Sequence, residues 1–277
     1  KVTVSDTPTD DQIRAAAVVL YFIQKKAAEG WDIPFEQPDA TSDVTRLAAL
    51  NQNLVVIFSG GNGFAMPWLS RVKGLVFAFL GGQESGNALA DVVSGRVNPS
   101  GRLPFTIEKH FADGPGKDYN RLQSGQYEWG GAQPDSRRIQ AQSGQFEIDY
   151  REGVYVGYRW YEKKQLEPQF PFGFGLSYTT FKFGKPTLSA KTISSNQTVT
   201  VSVPVKNTGS VAGSETVQLY IHAVSPVVDR PVQELKGFEK ILLQPGESRV
   251  VKIPVTWHDL AYWDEARHDW TVEPGAY

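Results

Sequence analysis

The spacing of hydrophobic residues changes part-way along this chain, and that change limits the folds open to it. In the first hundred residues they form unbroken runs: residues 15–23 (AAAVVLYFI), 54–58 (LVVIF) and 75–80 (LVFAFL). Unbroken apolar runs of this length suit strands buried on both faces, which occur in parallel sheets covered by helices. Residues 43–50 and 84–93 carry helical spacing between and after the runs, so strands and helices alternate. From about residue 183 the spacing becomes strictly two. Val199, Val201, Val203 and Val205 share one strand face, as do Val217, Leu219 and Ile221, and then Val251, Ile253 and Val255. Period-two alternation marks half-buried antiparallel strands, and the turn chemistry of 207–213 and 244–247 separates them. The sequence therefore predicts a mostly parallel α/β domain over 1–104. It predicts an all-β sandwich of the immunoglobulin or fibronectin III class over 183–277. Residues 105–182 serve as a linking and wrapping segment, and 105–150 have no clear period.

Composition narrows the functions. With 277 residues, two domains are expected. A formal net charge of −2 gives nothing to attract nucleic acid or an anionic membrane surface. No apolar run approaches the ~18 residues of a membrane span. The chain has no cysteine, which removes disulfides, thiolate catalysis and cysteine zinc sites. His110, His222, His258 and His268 form no metal-ligand pair at helical spacing, so no metal and no cofactor are expected. Asn196-Gln197-Thr198 is an N-glycosylation triplet, while Asn98-Pro99-Ser100 is spoiled by its proline. Lys1 is not an initiator Met, and a closing strand is expected after the turn Glu273-Pro274-Gly275. The expectation is a chain cut at both ends.

Some glycine-rich and acidic segments have ordinary explanations. Gly60-Gly61-Asn62-Gly63 lacks the lysine and spacing of a phosphate loop and reads as a tight strand–helix turn. Glu84, at a helix start, is favoured there by the helix dipole. The aromatic, glycine-rich segment 172–178 reads as a close-packed corner between domains, and Ser59 is not in a nucleophile elbow.

Four matches, however, occur together and in order: 82–92 (GQESGNALADV) with 95–104 (GRVNPSGRLP), 149–159 (DYREGVYVGYR), 170–181 (FPFGFGLSYTTF), and 230–238 (RPVQELKGF) with 243–247 (LQPGE). This set resembles family 3 glycoside hydrolases of the β-glucosidase type, and the resemblance covers essentially the whole chain. It implies an N-terminal (β/α)8 barrel carrying an Asp nucleophile, an α/β sandwich carrying a Glu acid/base, and a fibronectin III-like domain. This chain resembles most of the second domain plus the third. The family's acid/base segment resembles Ser-Gly-Glu-Gly-Tyr-Asp-Arg. Its counterpart here is 27–33 (AAEGWDI), directly after the first apolar run. The resemblance makes Glu29 the general acid/base and Trp31 the aromatic wall of the substrate site. The chain departs from the pattern at Ala27, Ala28 and Ile33, and Glu36 is the local rival.

The implied activity is a retaining exo-β-glycosidase that removes terminal β-D-glucosyl residues from β-glucosides or oligosaccharides. The partner is the N-terminal barrel of the same enzyme, and a homodimer is among the assemblies it admits. A secreted or periplasmic location is expected. The isolated chain, lacking the nucleophile, is expected to be inactive. The alternative is a non-catalytic carbohydrate-binding or interaction fragment on the same scaffold.

Overall fold

The computed structural model describes residues 2–25, 34–115 and 151–277. The chain divides into two compact units. The first takes in Lys1–Leu89 and Ile107–Asp149, the second Ala90–Thr106 and Tyr150–Tyr277.

In the first unit, helix α1 (Asp10–Ala15) starts in a capping box. Thr9 accepts from the Gln12 amide, and the Gln12 side chain accepts from the Thr9 amide. Strand β1 (Val19–Gln24), helix α2 (Pro38–Leu50), strand β2 (Leu54–Ser59) and strand β3 (Gly74–Phe77) follow. The strands form a parallel sheet in the order β1-β2-β3. Helix α2 starts earlier than residue 43, because Pro38 occupies its first turn, where the missing N–H costs nothing. Asn51, just past its end, is buried and donates to the carbonyls of Ile13 (2.8 Å) and Ala16 (2.7 Å). That bond pair ties α2 to α1. The core gathers Val44 and Leu47 of α2, Leu54, Val56, Ile57 and Phe58 of β2, and Phe64, Trp68 and Ile107.

The expectation of strands buried on both faces holds for β2, none of whose residues is exposed. It fails for β1. Tyr21 reaches α2 through a 2.6 Å hydrogen bond to Asp43, but the alternate residues Leu20 and Phe22 are exposed. The run is apolar because both faces seek cover; the described chain covers one. Strand β3 is also shorter than its apolar run, since Phe79 turns to a left-handed φ of 56°.

Helix α3 (Ser85–Val93) buries none of its residues. In the second unit a short helix, α4 (Tyr158–Lys164), precedes the sandwich strands. The sandwich has β4 (Phe181–Phe183), β5 (Thr187–Leu188), β6 (Thr198–Asn207) and β9 (Ser248–Thr256) in one sheet, with β6 pairing β9 along its length and β4 and β5 on its other edge. β7 (Gly213–Ile221) and β8 (Glu234–Leu243) pair antiparallel in a second sheet. β10 (Tyr262–Asp264) and β11 (Asp269–Thr271) form a hairpin. Val205, Val217, Ile241, Leu243, Val251 and Ile253 form the core, with Phe181, Val203 and Leu219 packed on it. The alternation seen in sequence is thus the inward face of these strands.

Two asparagines hold this unit together. Asn207 is fully buried. Its carboxamide donates to the carbonyls of Val211 (2.8 Å) and Leu243 (3.1 Å) and accepts from the Thr179 hydroxyl (2.6 Å) and the Gly209 amide (3.0 Å). Asn98 donates to the Ala212 carbonyl (2.9 Å) and accepts from the Ser177 hydroxyl (3.0 Å) and the Tyr178 amide (2.8 Å). Beside it, Arg102 donates to the Gly175 carbonyl and pairs with Glu215 of β7, both side chains being largely buried. Leu103 exchanges backbone bonds with Phe174 and Gly173. A Cβ on Gly175 would collide with the Gly101 carbonyl and the Arg102 side chain, so only glycine allows the two segments this close. The segment 172–178, read from sequence as a corner between domains, packs closely on residues 98–103 and β7, all of which belong to the second unit.

Candidate active site

In an open parallel sheet, ligands collect beyond the carboxyl ends of the strands. Here those ends are Gln24 and Lys25 after β1, Ser59 and Gly60 after β2, and the residues following Phe77 of β3. They are tied to one another. The Lys25 amide donates to the Ser59 carbonyl (2.9 Å), continuing the sheet one residue past β1. The Ser59 hydroxyl donates to the Phe79 carbonyl (2.8 Å), which fixes the left-handed turn after β3. A Cβ on Gly60 would lie 2.5 Å from the tip of the Phe58 ring and 3.3 Å from the Lys25 carbonyl, so backbone and ring meet here without room for a side chain. Beneath this edge lies an aromatic layer: Phe58–Phe64 at 4.4 Å between centroids, Phe58–Phe77 at 4.8 Å and Phe77–Phe79 at 4.7 Å. Gly60-Gly61-Asn62-Gly63 leaves β2 as a bend and not as the expected strand–helix turn, since the next helical element is the single turn Leu69–Arg71.

Both sequence-chosen site residues, Glu29 and Trp31, lie outside the described residues. The residues that flank them in sequence are described. On one side is Lys25, at the sheet edge. On the other, Phe35 is buried, its carbonyl accepts from the Ala65 amide (2.9 Å) and its ring stands 6.0 Å from that of Phe111. Gln37, also buried, donates to the Pro34 carbonyl. Lys25 and Pro34, the described residues nearest to Glu29 and Trp31 on either side in sequence, are thus each held by a hydrogen bond. The rival Glu36 is exposed, between two buried neighbours.

A further carboxyl, not singled out from sequence, lies on the same side. Glu108 follows the fully buried Ile107, and its Oε2 would lie 3.7 Å from a Cβ placed on Gly63, in the loop leaving β2. Burial raises its pKa above the usual carboxylate range, with a smaller push from the Asp113 charge and an opposing backbone hydrogen bond. No sequence signal marks it, because desolvation comes from packing. Glu84 is exposed and bonds Asn87 at the start of α3. Among the described residues no group of three or more His, Asp or Glu side chains is placed to hold a metal ion. No helix among them is long and apolar enough to cross a membrane.

Residues 4–178 match the model of the glycosyl hydrolase family 3 C-terminal domain, and residues 215–277 that of a fibronectin type III-like domain. Among curated relatives, the chain is 40% identical over 247 residues to the β-glucosidase BoGH3A of Bacteroides ovatus, covering 89% of this chain and 30% of the relative. It is 40% identical over 234 residues to the thermostable β-glucosidase B of Acetivibrio thermocellus, covering 84% and 28%. Among solved structures, a family 3 β-glucosidase of Bifidobacterium adolescentis aligns with a TM-score of 0.81 at 34% identity, over 95% of this chain and 36% of that one. A β-glucosidase of Kluyveromyces marxianus in complex with glucose aligns with a TM-score of 0.81 at 34% identity, over 96% and 30%. The chain spans less than a third of the length of these two curated relatives.

Proposed function

The chain belongs to glycosyl hydrolase family 3, of which it carries the C-terminal domain followed by a fibronectin type III-like domain, and we propose that within its full-length protein it supplies the general acid/base of a retaining exo-β-glucosidase. The observation that supports this reading is the setting of the described residues that flank Glu29 in sequence: Lys25 continues the sheet at its carboxyl edge, and Phe35 and Gln37 are buried, in a chain similar to named β-glucosidases.

The chemistry needs two carboxyl groups about 5–5.5 Å apart. In the first step the nucleophile carboxylate attacks the anomeric carbon, while protonated Glu29 gives its proton to the departing glycosidic oxygen. In the second, ionised Glu29 takes a proton from the water that attacks the glycosyl–enzyme bond and regenerates the nucleophile. A proton donor at neutral pH needs a raised pKa, and an apolar neighbour such as the Trp31 indole works in that direction by excluding water. The nucleophile, an Asp, is assigned to an N-terminal barrel outside this chain. β-Glucosides and short β-linked glucans are the proposed substrates.

In the full-length protein, Glu29→Gln should lower kcat on alkyl glucosides by about 10²–10⁴. Azide should restore part of the turnover on a nitrophenyl glucoside, whose leaving group needs no proton. Unchanged turnover would move the role to Glu36 or another carboxyl. The 277-residue chain alone should release no nitrophenol from the same substrate. The departures at Ala27, Ala28 and Ile33 favour a second reading, a scaffold that binds carbohydrate without cleaving it. An inactive full-length protein that still binds glucose would establish it.

A further inference from the structure

The hairpin β10–β11 carries an aromatic group that the glycosidase chemistry does not use. Trp263 and Trp270 are register partners, so both indoles stand on one face of the hairpin, with centroids 5.7 Å apart and planes at 76°. His258, in the single helical turn Trp257–Leu260 before the hairpin, sets its ring 5.3 Å from that of Trp270. The other face is anchored. There the Arg230 guanidinium stands 5.9 Å from the Tyr262 ring, and Arg230 donates to the Leu260 carbonyl (2.9 Å). The turn is fixed as well, because Asp264 accepts from the amides of Ala266 (3.0 Å) and Arg267 (3.2 Å). Tryptophan is on average a well-buried residue. Among the described residues, however, Trp263 and Trp270 are left 48% and 47% exposed. Neither indole N–H, nor the His258 imidazole, has a hydrogen-bond partner among them. Joining two strands does not require this exposure, since an indole pair packs as well when covered and then also gains burial.

Open aromatic faces beside unpaired N–H donors suit a ligand that is apolar on its flat side and carries hydroxyls at its rim. A β-linked glucosyl ring has that form: its hydroxyls are equatorial, so both of its faces present C–H groups. Two indoles set near a right angle make a notch that takes a single saccharide ring, and they cannot both lie flat against a broad protein surface. We propose that Trp263 and Trp270, with His258 beside them, form a carbohydrate-binding site on the sandwich that holds β-linked glucan chains by stacking against their glucosyl rings. The site belongs to the second unit, whereas Glu29 is assigned to the first, so it does not depend on which residue is the acid/base or on whether the enzyme is active.

Native electrophoresis of the full-length protein through gels that contain hydroxyethylcellulose, a soluble β-glucan, measures the binding. The wild type should be retarded, and Trp263→Ala and Trp270→Ala should each weaken the affinity about fivefold or more. Trp263→Tyr, which keeps an aromatic face, should retain most of it. Binding at the proposed catalytic site is common to all these proteins, so the difference between them reports the hairpin alone. A second measurement needs no substitution. Oxidation of Trp263 and Trp270 by N-bromosuccinimide, located by mass spectrometry of their peptides, should slow when hydroxyethylcellulose is present. A wild type that runs unretarded, or an oxidation rate that the glucan does not change, would overturn the proposal. Retardation that survives both alanine substitutions while Tm falls would assign the indoles to hairpin packing and overturn it too. Equal retardation in dextran, an α-linked glucan, would remove the β-linked class. A dimer that Trp263→Ala converts to monomer, with no glucan bound by either form, would show that the indoles face a second copy of the chain instead.

Discussion

Replacing Asn207 by Leu should cost the second unit about 4 kcal/mol of stability. The side chain is wholly buried and makes four hydrogen bonds, two donated and two accepted, to groups on three segments: Thr179, the turn holding Gly209 and Val211, and Leu243 at the end of β8. Leucine is close in volume and apolar, so it leaves no cavity. What it removes is the partner of the Val211 and Leu243 carbonyls, the Gly209 amide and the Thr179 hydroxyl. Each net hydrogen bond contributes about 1 kcal/mol, and a buried group left unpaired costs about 1–3 kcal/mol. Four bonds at the lower figure give the estimate, and only relaxation that lets water in could reduce it. For a unit of this size that is a fall in Tm of about 10–15 °C, read by circular dichroism or calorimetry. Thr179→Val removes one donor and leaves the Asn207 oxygen still bonded to Gly209, so it should cost about 1 kcal/mol. The double variant should be no worse than Asn207→Leu within about 0.5 kcal/mol, since the two share one bond. A Tm within about 3 °C of wild type for Asn207→Leu would refute the claim that this residue pins the sandwich.

Three further perturbations follow from the geometry. Arg102→Leu leaves Glu215 largely buried without its partner, and should cost about 3–5 kcal/mol; urea titration would show it, and a change under about 1 kcal/mol would mean that Glu215 finds water. Gly175→Ala drives a methyl into the Gly101 carbonyl, so chemical denaturation should show a loss of about 1–3 kcal/mol with an unchanged m-value. Glu108 has a pKa raised mainly by burial, so the folded state resists its ionisation. Its destabilising effect is absent below the unfolded-state pKa and complete above the raised folded-state value. Glu108→Gln should therefore raise Tm at about pH 8 and leave it unchanged at about pH 4, and a gain equal at both would exclude ionisation as the cause.

The two halves of the fold are legible in the sequence because burial writes itself as period. The alternation of Val251, Ile253 and Val255 is the inward side of β9, and the unbroken run 54–58 is the doubly covered β2. β1 departs from expectation because an apolar run states that both faces need cover without saying whether the cover is present. β3 stops short because Ser59 holds Phe79 in a turn that no propensity predicts. Helix α4 is preceded by Gly157, whose φ of 56° favours glycine, and keeps its place through Tyr158, whose hydroxyl accepts from the Leu235 amide far along the chain. Local spacing carries no trace of such a contact. For the candidate site, the carboxyl ends of the parallel strands follow from the apolar runs, while Glu108 does not, because its raised pKa comes mainly from burial, which local spacing does not show.

Asn98 joins residues that lie 80 and 114 positions further along the chain. The unit it stabilises is therefore discontinuous in the gene: residues 90–106 belong with the sandwich although residues 107–149, assigned to the other unit, intervene. A crossover that exchanged only the downstream sandwich between two family members would separate Asn98 from Ser177 and Tyr178, and Arg102 from Glu215. Chimeras of these enzymes should inherit a working sandwich only when the short stretch from Ala90 to Thr106 comes from the same parent, and recombination within the family should be rare between those two stretches of sequence.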